Sequence, residues 1–512
     1  MAYASDYGYG GRIDALYDEE IGSRMSGGHY LDATGAALYW NSQAKAYAAD
    51  LTAHVFGNPH SANPPSLLTE ARVAEARRGV LALFGVSEET HELVLTRSGT
   101  GALNLLADAF PWSANSTFAY TLSNHNSVLG IRSVAGARGA AHGAVSEEGV
   151  EAWLAGDAPE PEFLPCADGG AGACKGGAAA QVSDDVSDGA SDAPSAPSSL
   201  FAFPAKDNYN GQLFPLSWVA RAQAKSTSRR TWRVLVDAAA YVPTSPLNLT
   251  EVPADFVIMS FYKLFGLPTG VGALIARREA AADLRKTYWG GGAIFLATAA
   301  LDWHAYRGLP DRLEDGTLPF LDIVALHEGL RTGTRTRCVP TARARLRGLR
   351  HANGAALVRL FGRHGDADAA RVQGATLTFL LLDPRGEPYS YRAAAAELAA
   401  AGVYVRSGCT CNPGSCYGGL GLRDEEIRRL AEAKHHNWTN WEWIQVTRPS
   451  PSDPAKTVDV TLPLGALRAS LGAMSRYEDV EALAEYLERH YVDRAPDGAA
   501  VNAVALAQPD QC

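Results

Sequence analysis

Two apolar runs each end in an ionisable residue. Leu235-Val-Asp237 delivers an acid, and Val257-Ile-Met-Ser-Phe-Tyr-Lys263 delivers a lysine that is followed by Gly266, Gly270 and Gly272. An acid and a lysine brought together from neighbouring strands suit covalent catalysis through pyridoxal 5'-phosphate (PLP). The lysine bonds the aldehyde carbon, and the acid keeps the pyridine nitrogen protonated so that the ring can accept electrons. Upstream, residues 93–97 lead into Ser98-Gly99-Thr100-Gly101 and then an apolar helical pattern. Such a turn presents N–H groups and hydroxyls at a helix N-terminus, where a phosphate is stabilised. His125 follows a third run and is placed to stack on a ring, while Asn208 lies in a polar turn after a fourth. Each feature has a plain structural counterpart: a surface lysine, a capped helix, a packing histidine. Their order along the chain is what singles them out.

These residues need strands to carry them. The spacing predicts strands over 93–96, 117–122, 200–204, 233–237, 255–261 and 271–276, with helical patterns between several of them. That alternation predicts an α/β fold with a mainly parallel sheet covered by helices and a ligand site at the carboxyl ends of the strands. Beyond about residue 330 the pattern changes. A long helix over 339–363, strands over 375–383, 402–406 and 457–462, and helices over 393–400 and 477–490 predict a smaller α+β domain. The expected division is an N-terminal arm (1–28), a large domain (29–330), a small C-terminal domain (331–492) and a flexible tail (493–512).

Composition bounds the rest. The chain has 512 residues and a formal charge of −10. Residues 151–199 hold nine acids and one lysine, a balance of −8, so the remainder is nearly neutral. No basic stripe with interleaved aromatics is present, which argues against nucleic acid. No run of eighteen apolar residues argues for a membrane span. The N-terminus lacks a basic region followed by an apolar one, so a cytoplasmic location is the expectation. Residues 165–199 are mostly Ala, Gly, Ser, Asp and Pro, which predicts a disordered surface insertion whose Cys166 and Cys174 are free thiols.

Cys409, Cys411 and Cys416 occupy a Gly- and Pro-containing loop of the second domain. Their spacing admits a zinc site, with His435 or His436 as a fourth ligand. It also admits a reactive thiolate in a mobile, exposed loop with cations nearby, which is the better reading.

The order of phosphate turn, histidine, asparagine, aspartate and lysine resembles the class V aminotransferase family, which includes the cysteine desulfurases. The resemblance implies a type I PLP-dependent transferase fold with a large domain built on a seven-stranded-type sheet. It implies that Gly99, Thr100 and Ser260 hold the cofactor phosphate, that His125 stacks on the ring, and that Asn208 hydrogen-bonds the ring hydroxyl. Asp237 then pairs with the pyridine nitrogen and Lys263 holds the cofactor. Within the family, the chain most resembles the N-terminal domain of the molybdenum cofactor sulfurases. That likeness rests on Tyr30-Leu-Asp32, Phe56-Gly-Asn-Pro-His-Ser61, Phe214-Pro-Leu-Ser-Trp218, Trp289-Gly-Gly-Gly292, Arg312-Leu-Glu-Asp-Gly316 and Val405-Arg-Ser-Gly-Cys-Thr-Cys-Asn-Pro-Gly-Ser-Cys416.

The resemblance places the sulfur-accepting nucleophile at Cys411 rather than Cys409, with Cys416 as helper or bystander. It makes Arg468 the clamp for the substrate carboxylate, while Arg406 keeps its plain reading as a surface salt-bridge arginine. It implies L-cysteine as substrate, alanine as product, a homodimer, and a sulfur acceptor that is the molybdenum cofactor or a protein carrying it. The contrasting expectations are a PLP lyase or transaminase on another amino acid, and a scaffold without catalysis. Two departures stand out. Ala293 occupies a place where the family often has a threonine, and Trp438, Trp441 and Trp443 replace an expected Cys-Gly-Asp segment. The resembled enzymes carry a further domain that binds the molybdenum cofactor, so sulfur is expected to pass here to a separate acceptor.

Overall fold

The computed structural model describes residues 8–164, 174–175, 196–332, 340–433, 441–449 and 455–495. Cys166, His435, His436, Trp438, most of the 165–199 segment and the tail beyond 495 lie outside the described residues.

Eight strands form the principal sheet: β1 (His91–Thr96), β2 (Thr117–Thr121), β3 (Ala141–Val145), β4 (Cys174–Lys175), β5 (Ser198–Pro204), β6 (Thr231–Asp237), β7 (Phe256–Ser260) and β8 (Gly272–Arg277). Their spatial order is β1-β8-β7-β6-β5-β2-β3-β4. The pairs from β7 through β6, β5 and β2 to β3 are parallel, and β8 runs antiparallel to both β7 and β1. The six strands read from the apolar runs all form. The sequence reading missed β3, whose Ala-His-Gly-Ala-Val carries few large apolar residues. It also missed the two-residue edge strand β4, which pairs antiparallel with β3 inside the compositionally biased segment.

Burial on both faces explains the unbroken apolar strands. In β7, Val257 and Met259 enter one core with Phe201, Phe203, Trp218, Val234 and Val236. Phe256 and Ile258 enter the opposite core with Phe118, Leu200, Leu235 and Leu274. This is the period-2 alternation of a strand covered on both sides. A buried ion pair ties the first strand down: Arg77 meets Glu314 through two hydrogen bonds of 2.9 and 2.6 Å, and Glu314 Oε1 also accepts from Leu95 N at 2.6 Å.

The second sheet is antiparallel, with spatial order β9 (Val358–Phe361), β10 (Thr376–Leu381), β12 (Ala466–Ser470), β11 (Arg406–Gly408). The helix expected over 339–363 is corrected here. It spans only Pro340–Gly348, and 358–361 is a strand of this sheet. Gly354, at φ 84, lies in the turn between them, a conformation a continuing helix does not tolerate. The N-terminal segment packs through Ile13, Tyr17 and Ile21 against Met474. Among the described residues, no helix is long and apolar enough to cross a membrane.

Candidate active site

The carboxyl ends of β6 and β7 place Asp237 and Ser260, and a one-turn helix, Phe261–Phe265, carries Lys263 beyond the strand end. Gly266 follows at φ 76, and a Cβ there would collide with the backbone at Ala37–Tyr39. The glycine therefore lets the N-terminal segment close over the lysine-bearing turn.

A cavity opens at this edge. Its lining includes Ser98, Gly99, Thr100, His125, Ser127, Lys206, Asn208, Asp237, Ser260 and Lys263. Sequence reasoning named seven of these for cofactor binding, and the fold brings all seven together. Ser98 caps helix α1 (Gly99–Ala109) by accepting from Gly101 N at 3.0 Å. Ser260 Oγ accepts from Gly99 N at 3.0 Å, and Thr100 Oγ1 lies 2.9 Å from Ser127 Oγ. Hydroxyls from three segments thus gather at the positive end of an eleven-residue helix, where an anion is stabilised. Gly272 is needed here because a Cβ would collide with the Ser98–Gly99 backbone.

Burial pushes the Asp237 carboxyl above its usual range, and Lys263 opposes that shift. One oxygen of Asp237 accepts from Ala239 N at 2.9 Å. Burial draws Lys263 below the ordinary lysine range, with Asp237 acting against it. His125 Nδ1 accepts from Ser127 N at 3.1 Å. Burial, helped by Lys263 and Arg406, draws this imidazole down to about 4, so it is neutral at physiological pH. A buried acid, a buried lysine, a neutral ring and a hydroxyl-lined helix terminus in one cavity fit PLP, which presents a basic ring nitrogen, an aldehyde, a flat face and a phosphate.

The cysteine loop is tied to Asn208 in the cavity wall rather than standing free. Cys409 and Cys416 are disulfide-bonded, with Cα atoms 5.3 Å apart, and Cys411 lies within the ring so closed. The bridge leaves Cys416 no free thiol with which to act as helper, and it takes two of the three cysteines of the candidate zinc site. The loop is also half-buried and tied to its surroundings, where an exposed one was expected. Asn208 Nδ2 donates to Thr410 O at 2.6 Å, and Asn126 N donates to Cys411 O at 2.8 Å. Asn412 Nδ2 is within 3.1 Å of Ser123 O, Asp207 Oδ1 and Asn208 Oδ1. Thr410 and Cys411 have φ of 50° and 56°. This left-handed backbone costs non-glycine residues about 1–3 kcal/mol each and persists where surrounding contacts impose it. The amide of Asn208, expected at a cofactor hydroxyl, is engaged by this loop.

Arg468 is buried and stands opposite Arg406 in the β11–β12 pair. Its Nη1 donates to Asn208 O at 2.8 Å and its Nη2 to Asp32 Oδ1 at 2.7 Å. Arg406 Nη1 lies 3.6 Å from Asp32 Oδ2. Sequence reasoning missed Asp32 as a partner, Ser127, Asn412 and the pair Lys206-Asp207. Two charged residues directly after the apolar run of β5 were the available signal for that pair. Lys206 is fully buried, its Nζ 3.2 Å from Thr244 Oγ1, and burial beside Arg468 and Lys263 draws it down to about 7.

This lysine–aspartate cavity at the strand ends fits PLP, and residues 191–483 match the Aminotransferase class-V family. The chain belongs to that family. It is 34% identical to the molybdenum cofactor sulfurase of Solanum lycopersicum over 99% of its length, covering 61% of that protein. It is 34% identical to the human molybdenum cofactor sulfurase over 94% of its length, covering 52% of that protein. The chain thus spans roughly half to three fifths of these relatives. The fold is similar to that of the Escherichia coli cysteine desulfurase CsdA, at a TM-score of 0.63 and 17% identity, covering 93% of this chain and 98% of the other. It is also similar to that of the cystine C-S lyase C-DES, at 0.60 and 14%, covering 91% and 98%.

Proposed function

We propose that this chain is a PLP-dependent cysteine desulfurase that moves sulfur from L-cysteine onto Cys411 and releases alanine. The carrying observation is that Cys411, outside the disulfide, lies in a loop hydrogen-bonded to Asn208 and Asn126 at the cavity of Lys263 and Asp237.

PLP, when bound, supplies an electron sink for the amino acid's α-carbon. In this reading Gly99, Thr100, Ser260 and Ser127 hold its phosphate, His125 covers the ring face, Asp237 pairs with the ring nitrogen and Lys263 holds the aldehyde carbon. Asn208 serves the site by carrying the cysteine loop. Lys263 Nζ, favoured neutral by burial, accepts the α-proton of the substrate and later returns one. Arg468 and Arg406 orient the substrate carboxylate. The Cys411 thiolate attacks the substrate sulfur and the carbon–sulfur bond breaks. The balance is L-cysteine plus a thiol giving alanine plus a persulfide, with no external oxidant or reductant.

The persulfide then serves an acceptor, the molybdenum cofactor or a protein carrying it. The names of the curated relatives support that choice. A homodimer belongs to the same reading. The hairpin of Ile294–Ala297 and His304–Tyr306 leaves Phe295, Leu296, Leu301 and Trp303 exposed, an apolar patch suited to a second copy. A cytoplasmic site of action is also retained. Cytoplasmic disulfides are usually transient or redox-active, so the Cys409–Cys416 bridge is then one that reductants open. The test is amino-acid turnover by the purified holoenzyme. L-cysteine yields alanine and transferable sulfur, and Cys411→Ser abolishes the sulfur. Equal turnover of amino acids without sulfur, with none lost in Cys411→Ser, contradicts the proposal.

A further inference from the structure

Asp207 is fully buried in the large domain, in the turn that follows β5, yet half of the hydrogen bonds its carboxylate accepts come from the cysteine loop. Oδ1 accepts from Tyr209 N at 2.7 Å and Asn210 N at 3.1 Å, which fixes its own turn. The same oxygen accepts from Asn412 Nδ2 at 3.0 Å, and Oδ2 accepts from the Ser415 hydroxyl. Asn412 and Ser415 both lie inside the ring closed by Cys409 and Cys416, on the C-terminal side of Cys411. Asn412 also caps helix α2 (Pro413–Leu420), and Gly414 packs so closely on the Leu122 carbonyl that a Cβ would collide with it. The neighbouring Lys206 turns away to Thr244, so Asp207 is committed to the loop.

We propose that Asp207 is a positioning residue for sulfur transfer: its carboxylate clasps the disulfide-closed ring from the large domain and seats Cys411 over the cofactor cavity. This rests on the reading of Cys411 as the sulfur acceptor. A buried carboxylate with four donors fixes the loop's register more tightly than an amide or hydroxyl, because charge-assisted hydrogen bonds are the stronger ones. Attack at sulfur depends on that register, since a displacement of about 1 Å costs on the order of a hundredfold in rate. Burial lifts the Asp207 carboxyl to about 6, so the clasp is complete only above that pH. The groups around it are Glu147, which adds to the lift, Tyr209 of its own turn, and the uncharged Asn412 and Ser415. Glu147 is engaged by Gln212 Nε2 at 2.7 Å.

The experiment compares Asp207→Ala, Asp207→Asn, Cys411→Ser and the wild-type holoenzyme. Cofactor absorbance, its shift on adding L-cysteine, and single-turnover alanine release without a reductant, which would open the Cys409–Cys416 bridge, are read from about pH 5 to 8, spanning the carboxyl titration. Wild-type release should fall as pH drops through about 6. Asp207→Ala should keep the absorbance shift and lose release by about a hundredfold. Asp207→Asn retains an acceptor for Tyr209, Asn210 and Asn412, so it should fold, release alanine at an intermediate rate and lose the part of the acidic limb near pH 6 that the carboxyl contributes. Wild-type rates and an unchanged acidic limb in Asp207→Asn would overturn the proposal. So would wild-type release by Asp207→Ala while Cys411→Ser is inactive. Release by Cys411→Ser at the wild-type rate sinks instead the reading of Cys411 on which the proposal rests.

Discussion

Asp32 Oδ1 accepts from Arg468 Nη2 at 2.7 Å, joining the N-terminal segment to the last strand of the small sheet. A buried arginine held this way is pre-oriented, and its bidentate face is shared with the acid rather than freely open. Arg468→Gln should raise the KM for L-cysteine more than tenfold while leaving cofactor absorbance intact, because buried charge partners are worth about 2–5 kcal/mol. An unchanged KM would move carboxylate recognition to another cation.

Lys206 supplies a stability test with a definite sign. Its ordinary value of 10.5 is drawn down to about 7 by burial. The unfolded chain therefore binds this proton more tightly than the folded one. Folding is penalised increasingly as pH falls through that window, and in full below about 7. Lys206→Met should raise the melting temperature over wild type, by an amount that grows as pH is lowered from about 10 to about 7 and then levels off. A gap that shrinks toward neutral pH would show that Lys206 has an anionic partner in addition to the neutral Thr244 hydroxyl.

Lys263→Ala should fold yet lose the covalently held cofactor. Borohydride reduction of the wild-type holoenzyme followed by peptide mapping should label Lys263. Label on Lys206, the other buried lysine lining the cavity, would exchange the roles of the two.

Residues 176–195 contain no large apolar side chain except valines. Deleting them should shift the melting temperature and desulfuration little, since such a composition cannot bury much surface. A large loss of either would mean that this segment contributes to the packed structure.

How far the sequence carried the reading differs from element to element. Strands such as Phe256–Ser260 were legible because both faces are buried and the residues are continuously apolar. Ala141–Val145 was not, because small residues at a sheet margin give no such signal. The seven residues that line the cavity were legible because each sits at the end of an apolar run or on a glycine turn. The residues that hold the arginine and the cysteine loop in place were not. Asp32 reaches Arg468, and Asp207 reaches Ser415, across more than two hundred residues of sequence, so no local pattern relates them. The Cys409–Cys416 bridge was equally hidden, because cysteine spacing alone leaves thiol, metal and disulfide open. The helix proposed over 339–363 failed because its pattern did not register the turn around Gly354.

The most direct test is mass spectrometry of the holoenzyme after a short incubation with L-cysteine and no reductant. The account predicts a single added sulfur, about 32 Da, on the peptide carrying Cys411, with Cys409 and Cys416 recovered as a disulfide. Cys411→Ser should show no added sulfur. An added sulfur found on Cys409 or Cys416 with Cys411 unmodified would contradict it.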